Sequence, residues 1–67
     1  MKIHFSIAKN KKAKDVSTKL LKLYGQAELA EADVIVAVGG DGAMLAAMRE
    51  SIAYNIPVLG LNRGNIG

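Results

Sequence analysis

At 67 residues, with a formal charge of +3 and no cysteine, the chain makes at most one small domain and can hold neither a disulfide nor a thiolate metal site. Its single histidine, His4, excludes a histidine-rich metal cluster, and no apolar run approaches the roughly 20 residues of a membrane span. A domain this small buries only about 60% of the surface its unfolded chain exposes, so its core has little to spare.

The basic balance does not point to nucleic acid or to a membrane. Four lysines fall in Lys9-Asn10-Lys11-Lys12-Ala13-Lys14, and Lys19 and Lys22 follow. The only aromatics are Phe5, Tyr24 and Tyr54, with none of the interleaving of bases and rings that base stacking needs. The lysines read as a solvated loop and helix face, or as an anion-attracting rim around a phosphate site. Lack of cysteine and of a secretory hydrophobic stretch points to a reducing, cytoplasmic setting.

Ile3 to Ala8 alternates large apolar residues with small or polar ones, a strand pattern. The lysine-rich segment then enters a helical pattern in which Val16, Leu20, Leu23 and Ala27 are expected on one stripe, with Asp15, Lys19 and Lys22 pointing away, and Gly25 ends or loosens that helix. Asp33 to Val38 is apolar at every position after the aspartate, as expected of a central strand covered on both faces. Leu45, Met48 and Ile52 recur at helical spacing beyond the glycines, as in a second helix, with Ala43, Ala46 and Ala47 allowing close approach to a sheet and Met44 and Met48 expected to pack in the core. Asn55 and Pro57 stop it. Pro57 to Leu61 reads as the third strand, and Asn62 to Gly67 opens a second glycine-rich loop.

The order β, α, β, α, β predicts an α/β fold, a three-layer doubly wound parallel sheet with right-handed crossovers. Ligands of such sheets bind at the carboxyl ends of the strands, which is where both glycine loops fall, with Asp41 and Asn62 along one edge.

The run Ile35-Val36-Ala37-Val38-Gly39-Gly40-Asp41-Gly42-Ala43-Met44-Leu45 places a carboxylate at the mouth of a buried strand. Gly39 and Gly40 permit a sharp turn, and their missing Cβ atoms let a phosphate or ribose approach the main chain, with Gly42 keeping the other side open. The helix that follows offers free N–H groups and the positive end of its dipole. An aspartate there would repel phosphates unless a cation intervenes or the carboxylate handles the proton of an attacking hydroxyl. A carboxylate is a weak base at neutral pH, so orienting the nucleophile must carry much of its effect. The plainer alternative is an N-cap aspartate in an ordinary strand-to-helix turn. The dinucleotide fingerprint fails at its third glycine, where Leu45 stands, and no Gly-Lys-Ser/Thr exists for a P-loop. Within the second loop, the Arg63 guanidinium is placed either to pair with phosphate or to sit in solvent. His4 and Arg49 read as structural and surface residues respectively.

Gly39-Gly40-Asp41-Gly42, between an apolar strand and an apolar helix, resembles the GGDG motif shared by NAD kinases, diacylglycerol and sphingosine-type lipid kinases, and 6-phosphofructokinases. Pro57-Val58-Leu59-Gly60-Leu61-Asn62-Arg63-Gly64-Asn65-Ile66-Gly67 resembles the P-V-x-G-I-N-x-G-x-x-G segment of NAD kinases, and the Pro-x-Gly-Thr-x-Asn-Asp pattern of lipid kinases is absent. The short amino-terminal strand, with a lysine-containing loop and one helix before GGDG, is similar to the compact bacterial form. The resemblance implies phosphorylation of the 2′-hydroxyl of the adenosine ribose of NAD by ATP or polyphosphate, with Mg²⁺. Asp41 matches the family's catalytic aspartate, Gly39, Gly40 and Gly42 its phosphate-contacting turn, and Asn62, Arg63 and Gly64 its second loop near the nucleotide. No residue is expected to act as a dedicated metal ligand. Ala43 stands where the family usually has threonine. The family's Asn-Glu motif and β-rich carboxyl-terminal domain are not among these residues, so 1–67 is expected to be an incomplete amino-terminal nucleotide-binding domain. The resemblance also implies a homo-oligomer, dimer or tetramer. The alternative function is a non-catalytic, truncated nucleotide-binding or assembly module.

Overall fold

The computed structural model describes residues 1–61; Asn62, Arg63 and Gly64 of the second glycine loop lie outside the described residues. Along the chain run β1 (Ile3–Ile7), α1 (Lys11–Tyr24), a single 3₁₀ turn (Leu29–Glu31), β2 (Val34–Val38), α2 (Asp41–Tyr54) and β3 (Val58–Leu61). The three strands form one parallel sheet in the order β1-β2-β3, with Phe5 beside Val36 and Val36 beside Leu59. The all-apolar segment is therefore the central strand, and Ile35, Val36, Ala37 and Val38 are all buried, as a strand covered on both faces requires.

Each face of β2 has its own cluster, because successive side chains of a strand point opposite ways. Ile35 and Ala37 pack with Ala43, Ala47 and Ile56, putting α2 on that face. Val36 and Val38 pack with Phe5, Ala13, Val16 and Leu20, putting α1 on the other. The result is the expected three-layer arrangement. Two crossovers that step the same way across a sheet with the same hand would stack both helices on one face. Helices on opposite faces mean that the two connections differ in hand, so the expected right-handed rule holds for only one of them.

The β1-to-β2 connection shows how the chain changes faces. Leaving α1, it runs along the free edge of β1, where Ala27 N–H donates to Ile3 O at 2.9 Å. The Gln26 carboxamide completes the edge: its Oε1 accepts from Phe5 N–H at 2.8 Å and its Nε2 donates to Phe5 O at 3.0 Å. One side chain thus stands in for a neighbouring strand's peptide group. His4 Nδ1 donates to Ala27 O at 2.9 Å, which gives the lone imidazole a structural partner. Leu29 and Ala32 then pack into the α2-side cluster before β2 begins.

The helix ends follow the residues that cap them. Asn10 accepts from Ala13 N–H at 2.8 Å at the start of α1, and Gly25, at φ 74°, closes it by donating its N–H to Leu21 O. Asn55, in the left-handed region at φ 55°, closes α2. The Ser51 hydroxyl donates to Ile56 O and ties that end to the loop before β3.

Both helices bury a narrower and smaller stripe than expected. In α1 the buried residues are Ala13 and Ser17, with Val16, Leu20 and Leu21 partly covered; Leu23 is exposed and Ala27 lies beyond the helix. In α2 Ala43 and Ala47 meet the sheet, as their small size allows, while Leu45 and Ile52 are exposed, and so is Met48, which was expected in the core; Met44 is partly buried. Small side chains let the α2 backbone approach β2 closely, and that approach turns the larger residues outward.

Candidate functional site

The turn between β2 and α2 stands at the carboxyl edge of the sheet and is tied to both outer strands. Ala8, just past β1, donates its N–H to Val38 O at 2.9 Å, and Gly39 donates to Leu61 O at 3.2 Å. Gly39 adopts φ 131°, a conformation side-chain-bearing residues rarely take, and a Cβ on it would lie 2.5 Å from the Ala8 Cβ. Glycine is thus required here by both backbone and packing. Gly40 and Gly42 differ, since a Cβ on either would meet nothing within 4 Å. Their lack of side chains leaves open space at the helix start, which is what close approach of a ligand to the main chain needs.

Asp41 is the first residue of α2, and Gly40 is its N-cap, with no side-chain capping bond. The capping alternative for Asp41 is therefore set aside. The carboxylate is exposed at the positive end of the helix, where its charge is favoured. It borders a cleft of about 190 Å³ lined by Ala37, Gly39, Gly40, Met44, Gly60 and Leu61 as well. Met44 forms part of the wall beside Gly60: its Sδ lies 3.1 Å from where a Gly60 Cβ would be, so that glycine makes room for the methionine.

The structure brings Gly39, Gly40 and Asp41 to one cleft, with Gly42 next along the helix. Asn62, Arg63 and Gly64 fall outside the described residues, although Leu61, immediately before them, lines the same cleft. Arg49 is exposed and outside the lining, as expected of a surface residue. Ala43, at the position where threonine was noted, is buried against the sheet. Sequence reasoning did not bring Ala8, Ala37 or Gly60 to the site, and it read Met44 as a core residue, whereas Met44 also walls the cleft. A glycine inside a short strand was the available signal for Gly60, since it marks close approach of another group. Nothing in the spacing singled out Ala8.

Among the described residues no three His, Cys, Asp or Glu side chains stand close enough to hold a metal ion. Asp41 is the one carboxylate among the described residues that line the cleft. That donor set fits Mg²⁺, which is commonly held by one or two carboxylates, substrate phosphates and water rather than by a protein cage.

Fold and turn together define a parallel α/β domain with a glycine-walled cleft at the carboxyl ends of its strands. Residues 2–67 match the family model described as the ATP-NAD kinase N-terminal domain, and the chain belongs to that family. It is 38% identical over 65 residues to a Brucella suis protein named NAD kinase, covering 97% of this chain and 25% of that protein. A Salmonella dublin NAD kinase is 49% identical over 61 residues, covering 91% of this chain and 20% of its own length. A Cereibacter sphaeroides NAD kinase is 57% identical over 44 residues, which are 66% of this chain and 17% of that one. The chain thus spans about a quarter or less of the length of these relatives. No solved structure matches it.

Proposed function

We infer that the chain provides the acceptor-activating edge of an NAD kinase, which transfers a phosphoryl group from ATP or polyphosphate to the 2′-hydroxyl of the adenosine ribose of NAD. The observation that carries this reading is the place of Asp41, an uncapped, exposed carboxylate at the rim of a glycine-walled cleft. In that role Asp41 orients the ribose hydroxyl and accepts its proton as the new phosphate ester bond forms. Gly39, Gly40 and Gly42 let phosphate and ribose oxygens reach the N–H groups of the turn. Asn62, Arg63 and Gly64, which match the family's second loop, contact the nucleotide in this reading. Mg²⁺, when bound, would be held chiefly by the donor's phosphates and water beside this cleft and would offset negative charge on the transferring group.

In this reading 1–67 is the amino-terminal α/β unit of the site, completed by a β-rich carboxyl-terminal domain. The protein works in the cytoplasm as a homo-oligomer, and its partners are NAD and ATP rather than nucleic acid or membrane. No helix of the described residues is long and apolar enough to cross a membrane. The exposed Leu45, Met48 and Ile52, with the outer edge of β3, which pairs with no strand among the described residues, offer surface for the completing domain or a second subunit.

The test is NADP formation from NAD and ATP by the full-length protein. An Asp41→Asn variant is expected to bind NAD but to form almost no NADP, and unchanged turnover in that variant would sink the reading.

A further inference from the structure

The seven residues from Lys9 to Asp15 hold four lysines and one aspartate, a local excess equal to the +3 of the whole chain; the other sixty residues are formally neutral. The charge of this protein is therefore one patch, and the fold sets it beside the cleft. Ala8 is bound to Val38 and packs against Gly39, so Lys9 leaves the sheet next to the glycine turn. Lys9, Lys11, Lys12 and Lys14 are all exposed. Among the described residues the only ion pair is Lys2 with Glu31 at 3.7 Å, which leaves these four without an ionic partner.

The placement works against local stability. The first turn of α1 has no acidic residue, and its lysines stand at the positive end of the helix dipole, where cations are disfavoured. They also repel one another. By contrast α2, starting at the same edge, carries Asp41 in its first turn as the dipole favours. A polyanion crossing from the cleft onto the start of α1 would relieve both the dipole and the mutual repulsion.

We propose that Lys9, Lys11, Lys12 and Lys14 form a cationic rim that holds the phosphoanhydride chain of the phosphate donor, on the β1 side of the Asp41 cleft. The inference rests on the kinase reading for the identity of the cleft. Its ligand chemistry is a linear chain of phosphates, whether from a nucleoside triphosphate or from inorganic polyphosphate. Lysine suits this task as a flexible point charge that follows a chain without fixed geometry.

The test is calorimetric titration of the full-length protein with inorganic tripolyphosphate and, separately, with ATP. Titrations run at about 0.01 M ionic strength, where the screening length is about 30 Å, and at about 0.15 M, where it is about 8 Å. The K9Q/K11Q/K12Q/K14Q variant keeps helix propensity, since glutamine and lysine rank together. It is expected to lose about ten-fold or more in affinity for both ligands at the lower salt, and to lose most of the salt dependence. K19Q/K22Q removes two lysines farther along α1 and is expected to change neither; it also carries the comparison if the fourfold variant fails to fold, alongside the pair K9Q/K12Q. Tighter binding of tripolyphosphate than of ATP would assign the rim to polyphosphate, and the reverse to a nucleoside triphosphate. Equal affinity in wild type and rim variants, equal loss in K19Q/K22Q, or a loss confined to ATP would overturn the proposal. Failure of the wild-type protein to make NADP would remove the kinase reading without altering the titrations, so the two failures are distinct.

Discussion

Gly39 and Ala8 are in such close contact that a β-carbon on the glycine would lie 2.5 Å from the alanine's own. The contact joins the end of β1 to the turn that opens the cleft, so the shape of the site depends on a residue 31 positions away in the chain. Gly39→Ala is expected to destabilise the fold by about 2–4 kcal/mol, from a strained φ together with overpacking. Urea unfolding measures the loss. Ala8→Gly in the same chain should recover the packing part but not the backbone part, and a double-mutant cycle with no coupling would show that the contact is not what requires the glycine.

Gly40 next to it gives the opposite expectation. A methyl group there meets nothing, so Gly40→Ala should leave stability within about 0.5 kcal/mol of wild type. Under the kinase reading the same methyl intrudes where phosphate or ribose nears the backbone, and NADP formation should fall while the unfolding curve stays put. If stability and turnover were both unchanged, the turn would be a turn and nothing more.

For Asp41→Asn the expected pattern is an intact fold with a kcat lowered by about 10²–10⁴-fold, the usual range for losing a positioned base. The side chain is exposed and makes no capping bond, so unfolding should scarcely register the change. Steady-state assay of NADP formation, beside NAD binding by titration, separates lost chemistry from lost affinity. A large rise in KM at constant kcat would instead make the residue a binding group.

The alternation of strands and helices, the central strand and the two helices were legible because they rest on local signals: an apolar run through Val34–Val38, glycine at 25, asparagine at 55. The carboxylate and its glycines were legible for the same reason. The small residues of α2 were legible as well: alanines at 43 and 47 meet the sheet, as their size suggests. What escaped was where the larger residues turn, since Met48 was expected in the core and is exposed with Leu45 and Ile52, because spacing records a periodicity and not which side lies nearer. Gln26 was illegible too. Its work is to bond a strand 21 positions earlier, and no local pattern marks a side chain that substitutes for a neighbouring strand.

Gln26 carries the next expectation. Removing it as Gln26→Ala leaves Phe5 N–H and C=O without their partners at the sheet edge, at a cost of about 1–3 kcal/mol. Gln26→Glu keeps the acceptor and loses the donor, so it should fall between alanine and wild type in a denaturant melt. The bare edge should also favour edge-to-edge association, seen as concentration-dependent sedimentation of the alanine variant. Identical melts for all three would mean that water replaces the carboxamide without penalty.

The last expectation sets two residues of α2 against each other. Ala47 is fully buried between the helix and β2, whereas Ile52 is 82% exposed. A periodicity-based reading that buries the large residues would make Ile52→Lys the damaging change and Ala47→Leu a gain in packing. The structure reverses both. Ala47→Leu forces a branched side chain between helix and sheet and should cost about 1–3 kcal/mol, while Ile52→Lys should stay within about 0.5 kcal/mol. The comparison is made on the 67-residue chain, where any partner of the exposed stripe is limited to another copy. If Ile52→Lys destabilised that chain with a cost growing with protein concentration, the stripe would already be buried by self-association, and the exposed face of α2 would be an interface between copies.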